Sequence, residues 1–327
     1  MLDIHSYFTV PLVDLQTESE NYAGIFVPAP EMGTQKVGIT QQFLENAEVY
    51  HNRYAASSHW LDMFTRIFAQ TGRPHGENLN ILDIGTGSGV NTVIPFLELF
   101  PGCRIVGTDL SPQLLRLLQA YVASAGLQDQ VACVCTDAMR DFFKAGSADI
   151  VIGGAILHHL IDPVACLKAA HRALKPGGIA VFIEPFEGYS VLRAAFSTII
   201  SRAEATGEVV NGDAVAFMKR MMLDYEVRAG RDKTASIYPH LDDKWLFTRT
   251  YIQDAAREAG FASAEVVPMY PTQSQYRSAA TNLLGMGDLD STALPDWAWE
   301  IIDTFDVCFS DDLKGEATME SGIVFRS

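Results

Sequence analysis

NILDIGTGSG, residues 80–89, is the stretch that decides the fold. Its apolar part is typical of a buried strand, and the glycines at 85, 87 and 89 permit a tight turn that a ligand can approach closely. The helix predicted to follow this turn presents unpaired N–H groups at its N-terminus. Since ligands of open α/β sheets bind outside the carboxyl ends of the strands, the turn is a candidate ligand site.

The alternation of strand, turn and helix continues on both sides of this loop. Further strands are predicted at 103–110, 131–137, 148–154, 179–185, 264–270 and 322–327, with helices at 91–100, 112–126, 162–174 and 249–259. Ser111 and Thr248 are predicted N-caps, and Gly126 and Gly260 are predicted helix stops. Short apolar strands that alternate with amphipathic helices predict an α/β fold with parallel strands and helices on both faces of the sheet.

Charge and composition exclude several classes of function. The 327 residues include 24 Lys and Arg against 40 Asp and Glu, a net charge of −16 at pH 7. Nucleic-acid binders gain affinity by neutralising phosphates, so no nucleic-acid partner is predicted. No stretch reaches the ~20 apolar residues of a membrane span, and the start lacks a signal-peptide pattern, so we expect a cytoplasmic protein without a membrane partner. Five irregularly spaced cysteines predict no metal site.

Three acids lie at the ends of successive predicted strands. Asp83 precedes the glycine loop and would favour a ligand with a cationic amino-acid end. Asp109 is placed to accept from both hydroxyls of a ribose, and Asp137 to accept from an adenine amino group. Each acid alone is typical of a turn. Together, in order, they favour a nucleoside with a cationic tail.

Two other nucleotide sites fit this loop less well. The nicotinamide fingerprint Gly-x-Gly-x-x-Gly would need a third glycine at position 90, where Val90 stands. A P-loop would need Gly-Lys-Ser/Thr, which is absent from the segment. A nicotinamide oxidoreductase is therefore disfavoured.

The chain from about Glu45 to Ser327 resembles class I S-adenosylmethionine-dependent methyltransferases. The matching segments are LDIGTGSG (82–89), GTDLS (107–111), CTDAM (135–139), DIVIGGAILHHLIDP (149–163), LKPGGIAVFIEP (174–185) and FTRTYIQDAAREAGF (247–261). The resemblance implies a Rossmann-like, seven-stranded methyltransferase sheet whose last strand is antiparallel. It also implies S-adenosylmethionine as the cofactor.

This pattern divides the chain into four predicted parts. Residues 1–42 are predicted to form an N-terminal arm or lid, and residues 43–185 the S-adenosylmethionine-binding core. Residues 186–246 are predicted to be a helical cap insertion. Residues 247–327 complete the core with strands six and seven and carry a second helical insertion at 272–320. Apolar stripes in the inserts are most typical of a helical core, with a substrate pocket or a homodimer interface as alternatives.

The resemblance also implies roles for single residues. The methionine part of the cofactor is assigned to the glycine loop, with Asp83, Gly85, Thr86, Gly87 and Gly89. The ribose is assigned to Asp109 and Leu110 at the end of strand two, and the adenine to Asp137 and Ala138 at the end of strand three. The sulfonium is assigned to Gly153 and Gly154 at the end of strand four, and Tyr50 and Tyr54 of the first helix to a segment that closes over the cofactor.

Candidates for proton transfer follow strands four and five. His158 and His159 are potential general bases, because a neutral imidazole titrates near working pH. Glu184 could orient the base or bind a substrate hydroxyl. The alternative is that the two histidines belong to a structural turn or simply contact the substrate.

The function predicted from these features is methyl transfer from S-adenosylmethionine to a small-molecule acceptor by in-line displacement. An oxygen acceptor is favoured, with nitrogen or carbon as alternatives. Two other classes stay open. One is transfer of a different group from the same nucleoside, and the other is a non-catalytic S-adenosylmethionine-binding protein that acts through partners.

Overall fold

A central sheet organises the computed structural model, which describes residues 2–33, 48–49, 51 and 58–327. Its strands are β1 (Leu12–Asp14), β2 (Ile25–Pro28), β3 (Asn80–Ile84), β4 (Arg104–Asp109), β5 (Val131–Cys135), β6 (Ala148–Gly154), β7 (Leu174–Pro185), β8 (Ser263–Pro268) and β9 (Glu320–Arg326). The order across the sheet is β1-β2-β5-β4-β3-β6-β7-β9-β8. Strands β3 to β7 run parallel, whereas β9 is antiparallel to β7 and β8, as the resemblance implied.

The predicted number of seven strands is wrong for the described residues, because the N-terminal segment contributes two more. Strand β1 pairs with β2 in antiparallel orientation, and β2 continues the sheet in parallel with β5. The link is short, with Ile25 opposite Cys133 and Phe26 opposite Val134. Strands of three and four residues leave little periodic pattern to detect. Part of the predicted N-terminal arm is therefore sheet.

Helices cover both faces of the sheet, and further helices form the cap. They are α1 (His59–Thr71), α2 (Val93–Leu99), α3 (Pro112–Ser124), α4 (Pro163–Ala173), α5 (Tyr189–Thr206), α6 (Gly212–Arg228), α7 (Arg249–Ala259), α8 (Gln275–Met286), α9 (Asp296–Cys308) and α10 (Asp311–Glu316). The predicted caps are confirmed, since Ser111 Oγ accepts from Leu114 N at 3.2 Å and Thr248 Oγ1 accepts from Tyr251 N at 3.0 Å. Gly260 ends α7 with φ +100°. In the described part of the chain, no helix combines the length and the apolar character that a bilayer crossing requires.

The sheet separates two apolar layers, and the cap has a third. Successive strand residues point to opposite faces, so Leu82 and Phe325 are buried in one layer while Ile81 and Val324 are buried in the other. The cap helices α5, α6, α8 and α9 pack around a separate cluster of buried side chains. Its fully buried members include Phe196, Met218 and Tyr276. Most apolar residues of the inserts therefore form a helical core, as their spacing predicts.

Candidate functional site

A cavity of about 580 Å³ lies at the carboxyl ends of β3, β4, β5 and β6. Many of the residues predicted to bind a cofactor or to act in catalysis line it: Gly85, Thr86, Gly87, Asp109, Leu110, Asp137, Ala138, Gly154, His158 and His159. We call it the cofactor cavity. The strand ends that the sequence pointed to are thus brought together around one space, as expected for an open α/β sheet.

The glycine loop fits tightly against the segment that follows β6. Gly85 has φ +72°, and a Cβ atom there would lie 2.5 Å from Ile156 Cγ1. Both the backbone conformation and the lack of space therefore require glycine at this position. The turn keeps its backbone next to the cavity, where no side chain separates it from a ligand.

Asp109 holds the loop in place with both oxygens. Its Oδ2 accepts from Gly87 N at 2.9 Å, and its Oδ1 accepts from Ser111 N at 2.8 Å. An ionised carboxylate offers about four acceptor sites, so about two remain after these bonds. Since Asp109 also lines the cavity, the remaining sites match two ribose hydroxyls.

Asp83 lies beneath the loop and is not among the residues of the cavity wall, so its role towards the methionine part stays a prediction. The side chain is fully buried, and Oδ2 accepts from Thr92 Oγ1 at 2.5 Å. Burial raises the pKa of the carboxyl to about 7, although the hydroxyl of Thr92 acts in the opposite direction. In this arrangement Asp83 braces the start of α2 from below.

The loop also carries buried polar atoms that lack a partner among the described residues. These atoms are Asp83 Oδ1, Thr86 Oγ1 and Ser88 Oγ, although the nearby Thr86 hydroxyl still favours the ionised form of Asp83. An unsatisfied buried polar atom costs about 1–3 kcal/mol, so natural proteins retain few without a reason. A polar ligand group beside the loop would supply the missing partners, which fits a cofactor with an amino-acid end.

Two predicted glycines have packing roles in the structure, and two predicted tyrosines cannot be placed. A Cβ on Gly153 would lie 2.5 Å from Phe182, and a Cβ on Gly89 would lie 2.5 Å from Leu118. Neither glycine lines the cofactor cavity. Tyr50 and Tyr54 lie outside the described residues, so their role stays a prediction.

The N-terminal segment reaches the wall of the cofactor cavity through Glu31. Its carboxylate accepts from Thr136 Oγ1 at 2.5 Å and from Asp137 N at 3.4 Å. Burial raises the pKa of this carboxyl. Glu31 was not predicted as a site residue. It lies 105 residues before Thr136 in the chain, and no sequence pattern signals a contact between the two.

Glu184 lies behind His158 at the end of β7 and is fully buried. Its Oε1 accepts from Ile156 N at 3.0 Å and from Leu157 N at 2.7 Å. Its Oε2 accepts from His158 N at 3.2 Å and pairs with His158 Nδ1 at 2.6 Å. One carboxylate therefore fixes the whole turn after β6 and the orientation of the His158 ring. Glu184 itself does not line either of the cavities described here.

Asp243, from the loop before α7, faces the same histidine from the other side. Its Oδ1 lies 3.4 Å from His158 Nε2, and its Oδ2 lies 3.0 Å from Arg228 Nη1. Burial lowers the pKa of His158, but the carboxylates of Glu184 and Asp243 outweigh this effect and raise it to about 9. The ring is therefore protonated at neutral pH in this arrangement. Such a ring is not a ready base, so the structure favours a positioning or contact role for His158.

A second cavity of about 780 Å³ adjoins the first beneath the helical cap. The two cavities share Ala155, His158 and Asp243 in their walls. We call it the acceptor cavity. Its larger side chains are mostly aromatic or apolar: Trp60, Tyr189, Met221, Tyr225, Tyr270 and Met286. Convergent aromatic walls with a few polar groups are typical of sites for small organic ligands.

Glu320, the first residue of β9, places a carboxylate in the wall of the acceptor cavity. Burial raises its pKa to about 7, Glu184 adds to this effect, and His158 opposes it. An acid whose folded-state pKa is raised destabilises the fold once it ionises. The destabilisation therefore grows as the pH rises from the ordinary value of 4.5 towards 7 and then levels off.

We expect Glu320→Gln to be more stable than the parent protein at pH 8.5, by about 1–3 kcal/mol, with the gain shrinking towards pH 5. The amide cannot ionise and so escapes the penalty. Urea unfolding at both pH values measures the difference. Glu265→Gln, at an exposed position of the neighbouring strand β8, is the matched control and should show no such gain. An equal gain for Glu320→Gln at both pH values would contradict the argument.

Known proteins resemble this chain in sequence and in fold. Residues 82–182 match a family model described as a methyltransferase domain. The chain is 29% identical over 189 residues to a ubiquinone biosynthesis O-methyltransferase of Parvibaculum lavamentivorans, covering 55% of this chain and 70% of that protein. It is 27% identical over 251 residues to a demethylmenaquinone methyltransferase of Symbiobacterium thermophilum, covering 73% and 89%.

A solved structure supports the fold. Phosphoethanolamine N-methyltransferase 2 of Haemonchus contortus, in complex with S-adenosyl-L-methionine, superposes with a TM-score of 0.52 at 17% identity. The match covers 89% of this chain and 58% of that one. At this level of identity the likeness concerns the fold alone.

The doubly wound sheet, the glycine loop and the cavity at the strand ends define a Rossmann-like enzyme that binds a nucleoside cofactor. Together with the methyltransferase-domain match at residues 82–182 and the similarity to curated methyltransferases, these features identify an S-adenosylmethionine-dependent methyltransferase with the class I fold, and S-adenosylmethionine is its cofactor.

Proposed function

We propose that the chain methylates a small-molecule acceptor that binds in the acceptor cavity, with oxygen as the favoured atom and nitrogen or carbon as alternatives. The observation that carries this proposal is the common wall of the two cavities, formed by Ala155, His158 and Asp243. Ligands in the two spaces would meet at this wall. S-adenosylmethionine supplies the activated methyl group, so the protein has mainly to align the two reactants, which can lower the barrier by roughly 7–11 kcal/mol.

The chain's own residues divide between holding the cofactor and holding the acceptor. Asp109 accepts the ribose hydroxyls, Asp137 borders the adenine, and the loop around Gly87 receives the methionine part. His158 contacts the acceptor from the common wall, and His159 lines the cofactor cavity next to it. Glu184 is a positioning residue, since it fixes the turn that carries both histidines.

The acceptor we propose is a hydroxylated aromatic ring. Trp60, Tyr189 and Tyr225 give the acceptor cavity faces against which a ring can stack. Two relatives carry names that refer to quinones, which agrees with a ring-shaped acceptor. The cytoplasmic location, the homodimer and the lack of nucleic-acid and membrane partners remain predictions from the sequence.

Calorimetric titration of the purified chain with S-adenosylhomocysteine tests the cofactor cavity, with NADH as the comparison. We expect micromolar binding of the first and none of the second. Incubation with S-adenosylmethionine and a panel of catechols, phenols and aromatic amines then tests the acceptor. The expected product is heavier by one methylene, and its fragmentation shows which atom carries the methyl group.

Each other outcome has a definite meaning. A different mass increment would show transfer of another group. Binding of S-adenosylhomocysteine without turnover on the panel would favour a non-catalytic binding protein. Failure to bind S-adenosylhomocysteine would overturn the assignment of the cofactor cavity.

A further inference from the structure

Three potential metal ligands converge on the common wall of the two cavities. They are Nε2 of His158, Nδ1 of His159 and Oδ1 of Asp243, and all three atoms lie within 4.8 Å of one another. The carboxylate oxygen is 3.4 Å from the first nitrogen and 3.2 Å from the second. Two histidines and one carboxylate are a ligand set that first-row divalent metals accept.

The two nitrogen-to-carboxylate distances suit ligands of one ion better than partners in strong hydrogen bonds, and Nδ1 of His159 also lies 3.2 Å from the carbonyl oxygen of Asp242. Charge-assisted N–H···O bonds are usually about 2.7–2.9 Å long. Two ligands that bind zinc at about 2.1 Å, with an angle of 90–110° between them, are separated by about 3.0–3.4 Å. The distances of 3.4 Å and 3.2 Å lie in this second range.

The neighbours of these ligands orient them as in established metal sites. Glu184 Oε2 pairs with Nδ1 of His158 at 2.6 Å, so Nε2 is the nitrogen directed at the cluster. A histidine ligand almost always donates its other N–H to such a carboxylate or carbonyl. Arg228 engages Oδ2 of Asp243 at 3.0 Å, which leaves Oδ1 on the side of the histidines.

The local charge favours a cation. Glu184 and Asp243 face the two histidines from opposite sides, and Asp224 pairs with Arg228 at 3.0 Å. Among the charged groups around His158, three carboxylates thus stand against one guanidinium. A divalent ion between the histidines would displace the proton that these carboxylates hold on Nε2 of His158 and would offset the negative charge in its place, because charges in a poorly hydrated site interact strongly.

We propose that His158, His159 and Asp243 form a binding site for a divalent metal of the zinc type, open to both cavities. Three protein ligands leave coordination positions for water or for an oxygen of the acceptor, the arrangement of catalytic zinc sites. Imidazole ligands select against Mg²⁺ and Ca²⁺, which prefer oxygen. This site was not predicted from the sequence, because Asp243 follows the two histidines by more than 80 residues.

The test uses tag-free full-length chain, stripped with a chelator and titrated with Zn²⁺ by calorimetry and with Co²⁺ by visible absorption. We expect one equivalent of each metal to bind, with cobalt bands of a nitrogen and oxygen ligand set, and little binding of Mg²⁺. Asp243→Asn should weaken Zn²⁺ binding about 100-fold. Asp242→Asn is the matched control, because its carboxylate is not one of the three ligands, and it should bind like the parent.

A second variant keeps the test decisive if Asp243→Asn folds poorly without its pair to Arg228. His159→Ala removes one ligand at a side chain that is 26% exposed, and it should also weaken Zn²⁺ binding strongly. Equal Zn²⁺ affinity in the parent and in His159→Ala would overturn the site. So would an absence of Zn²⁺ binding by chain that still binds S-adenosylhomocysteine, a result that leaves the proposed methyl transfer intact.

Discussion

Asp109→Ala is expected to weaken binding of S-adenosylhomocysteine about 100-fold or more. The carboxylate would accept two ribose hydroxyls, and each charge-assisted hydrogen bond contributes roughly 1.5–3 kcal/mol. A loss of about 3 kcal/mol corresponds to two orders of magnitude in Kd. The variant also releases the N–H groups of Gly87 and Ser111, which keep the loop in its bound shape. Both effects act in the same direction.

Calorimetry of the Asp109 variant checks this expectation directly. Asp141→Ala is the control, because this exposed aspartate pairs only with Arg172 in the contacts described and lies away from the cofactor cavity. It should leave the Kd unchanged. An unaltered Kd in Asp109→Ala would refute the ribose role and would reduce Asp109 to a brace for the loop.

Glu184→Ala is expected to have the largest effect on stability, about 3–5 kcal/mol. The fully buried carboxylate receives three backbone N–H groups and the His158 ring. Removing one partner of a buried charged pair leaves the other without compensation, and that costs several kcal/mol. The turn after β6 would lose its anchor at the same time.

Urea unfolding of the cofactor-free chain measures the change in the free energy of unfolding. Glu187→Ala provides a matched comparison three residues further along, since this half-buried carboxylate accepts a single hydrogen bond among the described residues, from Gly230 N at 3.0 Å. Its loss should cost about 1 kcal/mol or less. Similar costs for the two variants would show that Glu184 does not anchor the turn.

Much of the fold could be predicted from the sequence because its signals are local. Ser111 and Thr248 mark helix starts through side-chain bonds to residues three positions away. The glycine loop needs only its own residues to specify the turn. Strand β2 was not predicted because its pairing with β5 across more than 100 residues, and not its own pattern, makes it a strand, and β1 in turn pairs with β2.

The site could be predicted only where its residues end a core strand. Asp109 is the last residue of β4 and Asp137 lies two residues after β5, so their position at the cavity edge could be predicted. The burial of Asp83 beneath the loop could not be predicted, because β3 is buried on both faces and such a strand shows no alternation to tell which way a side chain points. Asp243 and Glu320 come from the cap and the last strand, and only tertiary packing brings them to His158.

The two N-terminal strands change which edges of the sheet are open to association. They cover β5 and leave β1, only three residues long, at that side. At the other side stands β8, with exposed Ser263 and Glu265 and a proline at its end. Short, charged or proline-bearing edge strands are poor templates for another strand. A homodimer of this chain would therefore assemble through its helices and not by extending the sheet from one copy to the next.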